Sequence, residues 1–298
     1  MSMRINHNVL AMTAHRNLWV TQNDLDTAVQ RLSSGMRINY AWDDPAGLGI
    51  SERFRAQIGG MTEAERNANY NVNLLATAEG ALSVIDEKLI RMRAIAIQAA
   101  NGSLTSTDRQ IANVEFQQLK SEITRIANVT NYNGLNLING DFSAGSAQTS
   151  SCLALGYNNA TTTNDNGIKF HIGANNTVGN DYYYVNLGSM TADSLGLTDA
   201  DVCDTASAQA AIDLIDDAIQ SKDVERTFIG SMVERLQNTI LNLQIGQETA
   251  TASESTIRDA DMAYEMMDFT RSQILMQTGI SMMSQANMVP STVAGILG

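Results

Sequence analysis

Apolar side chains recur every seven residues at both ends of this chain. The repeated positions are Leu18, Leu25 and Leu32 near the N-terminus, and Met262, Phe269, Met276 and Met283 near the C-terminus, where Met266 and Ile280 follow two of them by four residues. An apolar stripe of this kind predicts helices that pack against other helices. The two stripes either bury each other or are covered by other copies of the chain.

The interior of the chain carries the most regular heptad pattern. Between Val72 and Ala100 apolar residues alternate at spacings of three and four, which predicts a helix of about 43 Å. A second helix is expected after Thr105, and the short loop before it makes the two antiparallel. Helix returns over residues 205 to about 250. The predicted bundle seam consists of Leu75, Leu82, Ile85, Leu89, Met92, Phe116, Leu119, Ile123, Leu236 and Ile240.

Breaks in the pattern predict where the helices begin and end. The first helix is expected within residues 3–39, and Ser33–Gly35 is a break signal. Asp43-Asp44-Pro45 predicts a helix start, because an Asp N-cap and a Pro at the first helical position suit a helix N-terminus. A catalytic carboxylate pair is the alternative, but no histidine or second acid cluster accompanies it. Gly246–Thr256 is hydrophilic and is predicted to link two helices, and Pro290 is predicted to end the last one.

The middle of the chain loses the helical period. Asn131–Phe142 contains two Asn-Gly pairs and predicts a β-hairpin or tight turn. Residues 143–167 are rich in Ser, Thr, Asn and Gly and predict an exposed loop. Two short strands are expected afterwards, over Ile168–Ile172 and Asp181–Leu187. The predicted fold is therefore mainly α: a long antiparallel helical bundle formed by the N- and C-terminal segments, with a small outer region that contains a β-hairpin.

Composition supports this fold and excludes several classes of partner. Aromatic residues make up 5% of the chain and there are only two prolines, which suits long helical bundles. The net charge of −13 argues against binding to nucleic acid or to an anionic membrane surface. No apolar run reaches transmembrane length, and no signal peptide precedes the first helix.

The sequence contains no pattern that predicts catalysis or a cofactor. Its three histidines, His7, His15 and His171, lack ligand-spaced partners, and HExxH, GxSxG and P-loop motifs are absent. The stretch from 126 to 221 has ten Asp and one basic residue, Lys169; we interpret it as a solvated acidic face, since the spacing of a calcium loop is missing. Cys152 and Cys203 lack metal-site spacing, and both pairing and free thiols remain open.

Several long segments resemble bacterial flagellins, and together they cover most of the chain. They are Ser33–Gly60 (SSGMRINYAWDDPAGLGISERFRAQIGG), Asn73–Leu82 (NLLATAEGAL), Arg91–Gly102 (RMRAIAIQAANG), Ile123–Gly140 (ITRIANVTNYNGLNLING) and Ile257–Pro290, which includes SQAN near its end. Their order and their presence at both ends make the resemblance specific. IKFHIGANN (168–176) also resembles the family's returning strand, so little chain remains for an outer domain.

The resemblance implies a structural subunit that polymerises into the flagellar filament without catalysis. Residues 1–44 with 257–298 would form the inner coiled-coil tube, 45–140 with 168–256 the helical bundle, and 141–167 a short exposed loop. The stripe residues Leu18, Leu25, Leu32, Met262, Phe269, Met276 and Met283 would pack this inner core. The implied partners are other copies of the chain, an export chaperone, and hook-associated and cap proteins. The chain would be secreted through the flagellar type III channel without a cleaved signal.

Some positions depart from the family or suggest further contacts. Tyr40 and Trp42 replace residues that are usually small or polar and are expected to add a packing contact. Arg91, Ile95 and Glu115 match the residues through which an innate immune receptor recognises flagellins, although Ala94 replaces a frequent Glu. Surface modification remains open, and the candidate positions for sugars are Thr149, Ser150, Ser151, Asn159, Thr161, Thr162, Thr163 and Asn175.

Three alternative functions remain. A hook–filament junction protein would share the terminal motifs, but flagellin signatures are complete at both ends. A flagellin that carries a zinc peptidase would need HExxH, which is missing. A membrane-active amphipathic protein is suggested by the Met-rich C-terminal stripe and disfavoured by the negative charge.

Overall fold

A computed structural model describes residues 7–142 and 167–297. In this part of the chain there are five helices: α1 (Val9–Ser34), α2 (Pro45–Ala99), α3 (Ser106–Val129), α4 (Thr205–Arg258) and α5 (Met262–Leu297). Four short strands lie between α3 and α4: β1 (Asn131–Tyr132), β2 (Leu135–Asn136), β3 (Ile168–His171) and β4 (Tyr182–Val185). The prediction of a mainly α fold with small hairpins is confirmed. Of the predicted outer loop, 141–167, residues 143–166 lie outside the described residues.

Local signals placed most helix ends correctly. The N–H of Gly35, at a φ of 70°, closes α1 by donating to the carbonyl oxygen of Arg31. Asp44 begins α2, where its Oδ1 accepts a hydrogen bond from the N–H of Gly47 at 2.9 Å. Thr105 and Asp108 form a reciprocal capping box at the start of α3.

The two longest helices extend well beyond the predicted heptads. Residues 49–71 belong to α2, and Gly246–Thr256, predicted as a linker, belongs to α4. The polar side chains there pair across the two helices: the amides of Gln244 and Gln247 both donate to the carboxylate of Glu65. Hydrophilic composition failed as a linker signal, because Gln247 bonds across to α2 and the hydroxyls of Ser253 and Thr256 bond to carbonyl oxygens of their own helix.

The last helix does not stop where predicted. α5 continues past Pro290 to Leu297. A proline inside a helix removes one backbone donor and crowds the carbonyl group four residues earlier, at a cost of about 3 kcal/mol, but its fixed φ is close to the helical value, so a helix can continue through it. The prediction that Pro290 ends the helix is wrong.

The chain divides into two compact units. Met1–Ile58 with Glu248–Gly298 forms one, the terminal unit, and Gly59–Gln247 forms the other, the bundle unit. The predicted division at residues 44 and 257 stays a prediction.

In the bundle unit, α2 and α4 run antiparallel. Arg93 pairs with Asp216, Lys222 with Asp86, and Arg226 with Glu79, so residue numbers on the two helices sum to nearly the same value at each contact. Arg91 of α2 pairs with Glu115 of α3, and Arg109 of α3 donates to the carbonyl oxygen of Ala99, so α3 runs antiparallel to α2 as predicted. The predicted seam residues are buried here, with Leu119 and Ile240 partly so; fully buried are Leu75, Leu82, Ile85, Leu89, Met92, Phe116, Ile123 and Leu236.

The strands form two antiparallel hairpins. β1 and β2 are joined through Asn133 and Gly134, both with positive φ, as the Asn-Gly pair predicts. β3 pairs with β4 over the whole of Ile168–His171, and Phe170 and Val185 are fully buried. These hairpins therefore close one part of the bundle core.

Candidate assembly surface

Helices α1 and α5 pack against each other in antiparallel order. The side-chain amide of Asn8 donates to the carbonyl oxygen of Ala286 at 2.8 Å, and Arg31 pairs with Glu265 at the other end. Between these contacts Leu18 lies against Gly279. The two terminal stripes are thus partners within one chain.

The buried side of this pair consists of two lines of residues on each helix. Leu18, Leu25 and Leu32 are half-buried and Ala28 is fully buried on α1. On α5, Phe269, Met276 and Met283 are half-buried. The structure thus places these members of the predicted packing set on the shared face.

A second line on α5 was missed by the apolar pattern. Glu265 and Ser272 are buried, and Gly279 and Ala286 are half-buried, again at intervals of seven. Small and polar residues give no hydrophobic signal. The spacing of these four residues by seven, next to the line of Phe269, Met276 and Met283, is the signal that could have identified them.

Gly279 is small because α1 comes close at this point. A Cβ on Gly279 would lie 2.6 Å from Cδ2 of Leu18. The absence of a side chain at Gly279 thus leaves room for Leu18, and the glycine does not interrupt the helix.

A salt bridge holds α1 against α5 at the other end of their contact. Nη1 of Arg31 lies 3.1 Å from Oε1 of Glu265, whose side chain is 6% exposed. A buried carboxylate needs such a partner, because an unpaired charge there is costly. The pair therefore specifies the register of α1 against α5.

The chain segments between helices are bonded to each other beside this pair. The N–H of Arg37 donates to the carbonyl oxygen of Arg258, and the N–H of Ala260 donates to that of Gly35. Arg258 also pairs with Glu52 at 2.9 Å. Hydrogen bonds from Arg258 and then Arg55 lower the pKa of the Glu52 carboxyl. The start of α2 and the end of α4 are thereby tied together within the terminal unit.

The remaining sides of both helices expose large apolar side chains to solvent. On α5 the exposed set is Met262, Tyr264, Met266, Met267, Ile274, Leu275, Ile280, Met282 and Met288; on α1 it is Val9, Leu10, Met12, Trp19, Val20 and Val29. Met266 and Ile280 were predicted to share the stripe of Phe269 and Met276, and this placement is wrong: they lie on the exposed side. Met262 is also exposed in the single chain. Exposed apolar surface of this extent indicates an interaction site.

Two aromatic rings add to this exposed surface. Tyr40 and Trp42 stack with ring centroids 4.3 Å apart, and Trp42 is 76% exposed. The loop that carries them is held by Asp43, whose Oδ2 accepts from the N–H groups of Asn39 and Tyr40. Asp43 therefore holds the loop, whereas the helix cap that the sequence predicted is Asp44.

The three residues expected to contact an immune receptor do not share one environment. Nη2 of Arg91 and Oε1 of Glu115 are 2.6 Å apart, and both side chains are about half exposed. Ile95 is only 2% exposed and belongs to the bundle core. Ile95 therefore cannot offer its side chain to a partner while α2 is packed.

Of the candidate positions for sugars, only Asn175 is described. It is exposed, and its N–H donates to Oδ1 of Asp181 at 3.2 Å. The other seven, like Cys152, lie outside the described residues. Cys203 accepts a hydrogen bond from the side chain of Asn113.

No cluster of metal-binding side chains occurs among the residues that the structure describes. Within the same residues, none of the helices has a stretch apolar enough to cross a membrane. The geometry of the described chain therefore points to the exposed faces of α1 and α5 rather than to a pocket.

Comparisons with known proteins agree on one family of relatives. Residues 5–143 match the family "Bacterial flagellin N-terminal helical region" and residues 212–297 match "Bacterial flagellin C-terminal helical region". A flagellin of Halalkalibacterium halodurans is 40% identical, with 99% of this chain and 100% of the relative covered. The "Flagellar filament 33 kDa core protein" of Treponema phagedenis is 37% identical with the same coverage. A solved structure of a putative flagellar hook-associated protein from Vibrio parahaemolyticus is similar in fold, with a TM-score of 0.55 and 18% identity over 73% of this chain and all of that one.

Proposed function

The chain belongs to the bacterial flagellin family, as a structural subunit of the flagellar filament, and we propose that copies join through the exposed faces of α1 and α5. The observation that supports this surface is its apolar side chains, which α1 and α5 leave uncovered in one chain. Burial of such side chains is worth about 25 cal/mol per Å². A surface that meets a different surface on the next copy, without closing a ring, yields an open helical polymer.

The same faces suggest how the subunit is delivered. We infer export without a cleaved signal, because α1 and α5 depend on partners for much of their burial and isolated helices are marginal in water. An export chaperone would cover α5 before assembly, and the hook-associated and cap proteins would meet the same helices at the filament ends. Protection of α5 amides from hydrogen exchange by the chaperone would support this step.

A contact with the innate immune receptor is a narrower proposal. Arg91 and Glu115 are exposed and paired on the surface of α2 and α3, so they can meet a partner. Ile95 would contribute only through packing beneath them. Loss of receptor signalling in Arg91→Ala, with unchanged helix content, would support the assignment.

A hook–filament junction role has no specific observation in its favour. The likeness to the hook-associated protein is one of fold, whereas the flagellin relatives match along the whole chain. We also assign no catalytic step. Hydrolysis of peptides by the purified chain, abolished by a chelator, would contradict that assignment.

The assembly surface can be tested with two matched triple variants. Met266→Glu, Met267→Glu and Ile274→Glu place three charges on the exposed face of α5, and we expect them to abolish filament formation. Val178→Glu, Val224→Glu and Leu241→Glu place the same charges on exposed apolar positions of the bundle unit. We expect this control to retain filaments in sedimentation and electron microscopy. Filaments from the first variant, with normal yield, would refute the proposed surface.

A further inference from the structure

Methionine is concentrated in α5. Seven of the fifteen methionines of the chain lie between Met262 and Met288. Five of these seven are exposed: Met262, Met266, Met267, Met282 and Met288. In the bundle unit the pattern is the opposite, since Met61, Met92 and Met190 are buried in the core.

We propose that these five thioethers are an oxidation site at which a peroxide switches the free subunit to a form that cannot join a filament. The proposal rests on the assembly surface proposed above. It adds a chemical modification, its location and its consequence.

The reaction is balanced with hydrogen peroxide as the oxidant. A lone pair on the methionine sulfur attacks one peroxide oxygen, the O–O bond breaks, and the departing hydroxide takes up the remaining proton to leave as water. Sulfur is oxidised by two electrons and peroxide is reduced. The product is methionine sulfoxide, which a reductase and a dithiol return to the thioether with release of water and formation of a disulfide.

The sulfoxide matters because of its surroundings on α5. A shallow groove on the exposed side of the helix is lined by Met266, Met267, Thr270, Arg271, Ile274 and Leu275. The hydroxyl of Thr270 already donates to the carbonyl oxygen of Met266, and Arg271 is paired with Asp268. The thioether is apolar, whereas the sulfoxide oxygen is a strong hydrogen-bond acceptor. A neighbouring subunit that packs apolar atoms against this groove would therefore bury the oxygen unpaired.

Position along the helix makes the modification selective. Met276 and Met283 are half-buried on the side that α1 covers, so peroxide reaches them less readily than the exposed five. Once copies have assembled, the exposed five would be covered as well. The switch thus acts on subunits before assembly and spares finished filaments.

Peroxide treatment of the full chain followed by peptide mapping and assembly tests this proposal. We expect sulfoxide at the five exposed methionines of α5, thioether at Met61, Met92 and Met190, and a rise of about tenfold or more in the critical concentration for assembly. Reductase and dithiol should restore assembly. Preformed filaments treated alike and then dissolved should show the five as thioethers.

Two Leu-substituted chains separate α5 from the other methionines, since Met→Leu conserves volume and apolar character. The first combines Met262→Leu, Met266→Leu, Met267→Leu, Met282→Leu and Met288→Leu, and we expect its assembly to resist peroxide. Both chains also carry Met12→Leu, because Met12 lies on the exposed face of α1; the control adds only Met36→Leu and Met232→Leu and should remain sensitive.

The outcomes distinguish this inference from the function on which it rests. If the untreated chain forms no filaments, the assembly proposal fails and the inference falls with it. If untreated chains assemble, and chains with sulfoxide mapped to α5 assemble at the same critical concentration, only the oxidation site is refuted. Equal oxidation of the five in filaments and in free chains would also refute it, whether or not the Leu variants fold.

Discussion

The terminal unit and the bundle unit differ in how deeply they bury their apolar side chains. In the bundle unit, leucines and isoleucines such as Leu75, Leu82 and Ile85 have no exposed surface. In the pair of α1 and α5, Leu18, Leu25 and Leu32 are only half-buried, and most large apolar side chains are exposed. Two of the buried residues there are the polar Glu265 and Ser272. The bundle thus has a fully buried apolar core of its own, although it also exposes side chains such as Val178 and Leu241, whereas the terminal pair has few buried apolar residues.

The largest expected effect comes from emptying a core position of the bundle. Leu89→Ala should lower the free energy of unfolding by about 2–5 kcal/mol, because a fully buried leucine leaves a cavity. Leu25→Ala in α1 should cost about 1 kcal/mol or less in the free chain, since that side chain is half-exposed. Urea unfolding of unassembled protein measures both. Equal losses would remove the contrast between the units.

The bundle was the more predictable of the two units, for a physical reason. Its helices bury one face deeply, so Leu75, Leu82 and Ile85 repeat in the sequence as they lie in the core. In α5 nearly every face is apolar, so the stripe did not show which side meets α1, and Met266 and Ile280 were misplaced. Glu265, Ser272 and Gly279 carry no hydrophobic signal. The helical stretch Gly246–Thr256 was hidden because its polar side chains are bonded in the folded chain, Gln247 to α2 and the hydroxyls of Ser253 and Thr256 to their own helix.

A smaller difference in stability is expected between Gly→Ala substitutions in the two units. Gly279→Ala would set a Cβ 2.6 Å from Cδ2 of Leu18, so the end of that side chain must shift, at a cost of about 1 kcal/mol or more that exceeds what alanine gains in a helix. Gly230→Ala in α4 meets nothing within 4 Å and should stabilise the chain by about 0.5–1 kcal/mol, because alanine favours helix. Hydrogen exchange of α5 amides should reveal the first effect. Adding Leu18→Ala to Gly279→Ala should relieve it; failure to do so would place the strain elsewhere.

The smallest effect concerns a carboxyl group of the bundle. Burial raises the pKa of Glu225, and the N–H of Gly188, which donates to its Oε1 at 2.9 Å, partly opposes the shift. A raised pKa in the folded state means that the group favours folding in acid and that this contribution is lost as pH rises through the raised value. Glu265 of the terminal unit is instead paired with Arg31.

Glu225→Gln should therefore increase stability at neutral pH by less than about 1 kcal/mol, since the site is partly open to solvent. The glutamine oxygen can still accept from Gly188. The gain should vanish in acid, where Glu225 is already neutral. Thermal unfolding at several pH values checks this, with the exposed Glu234→Gln as a control expected to show no pH-dependent gain. A gain that persisted in acid would contradict the assigned cause.

The positions of the tryptophans give the chain its own optical reporter. The sequence holds only two, and both belong to the terminal unit: Trp19 on α1 is 62% exposed and Trp42 on the loop before α2 is 76% exposed. Indole emission from this protein therefore comes from the terminal unit alone, and the bundle contributes only tyrosine. Trp19→Phe would leave Trp42, stacked on Tyr40, as the single indole. A blue shift of its emission during polymerisation would then show when this loop becomes buried.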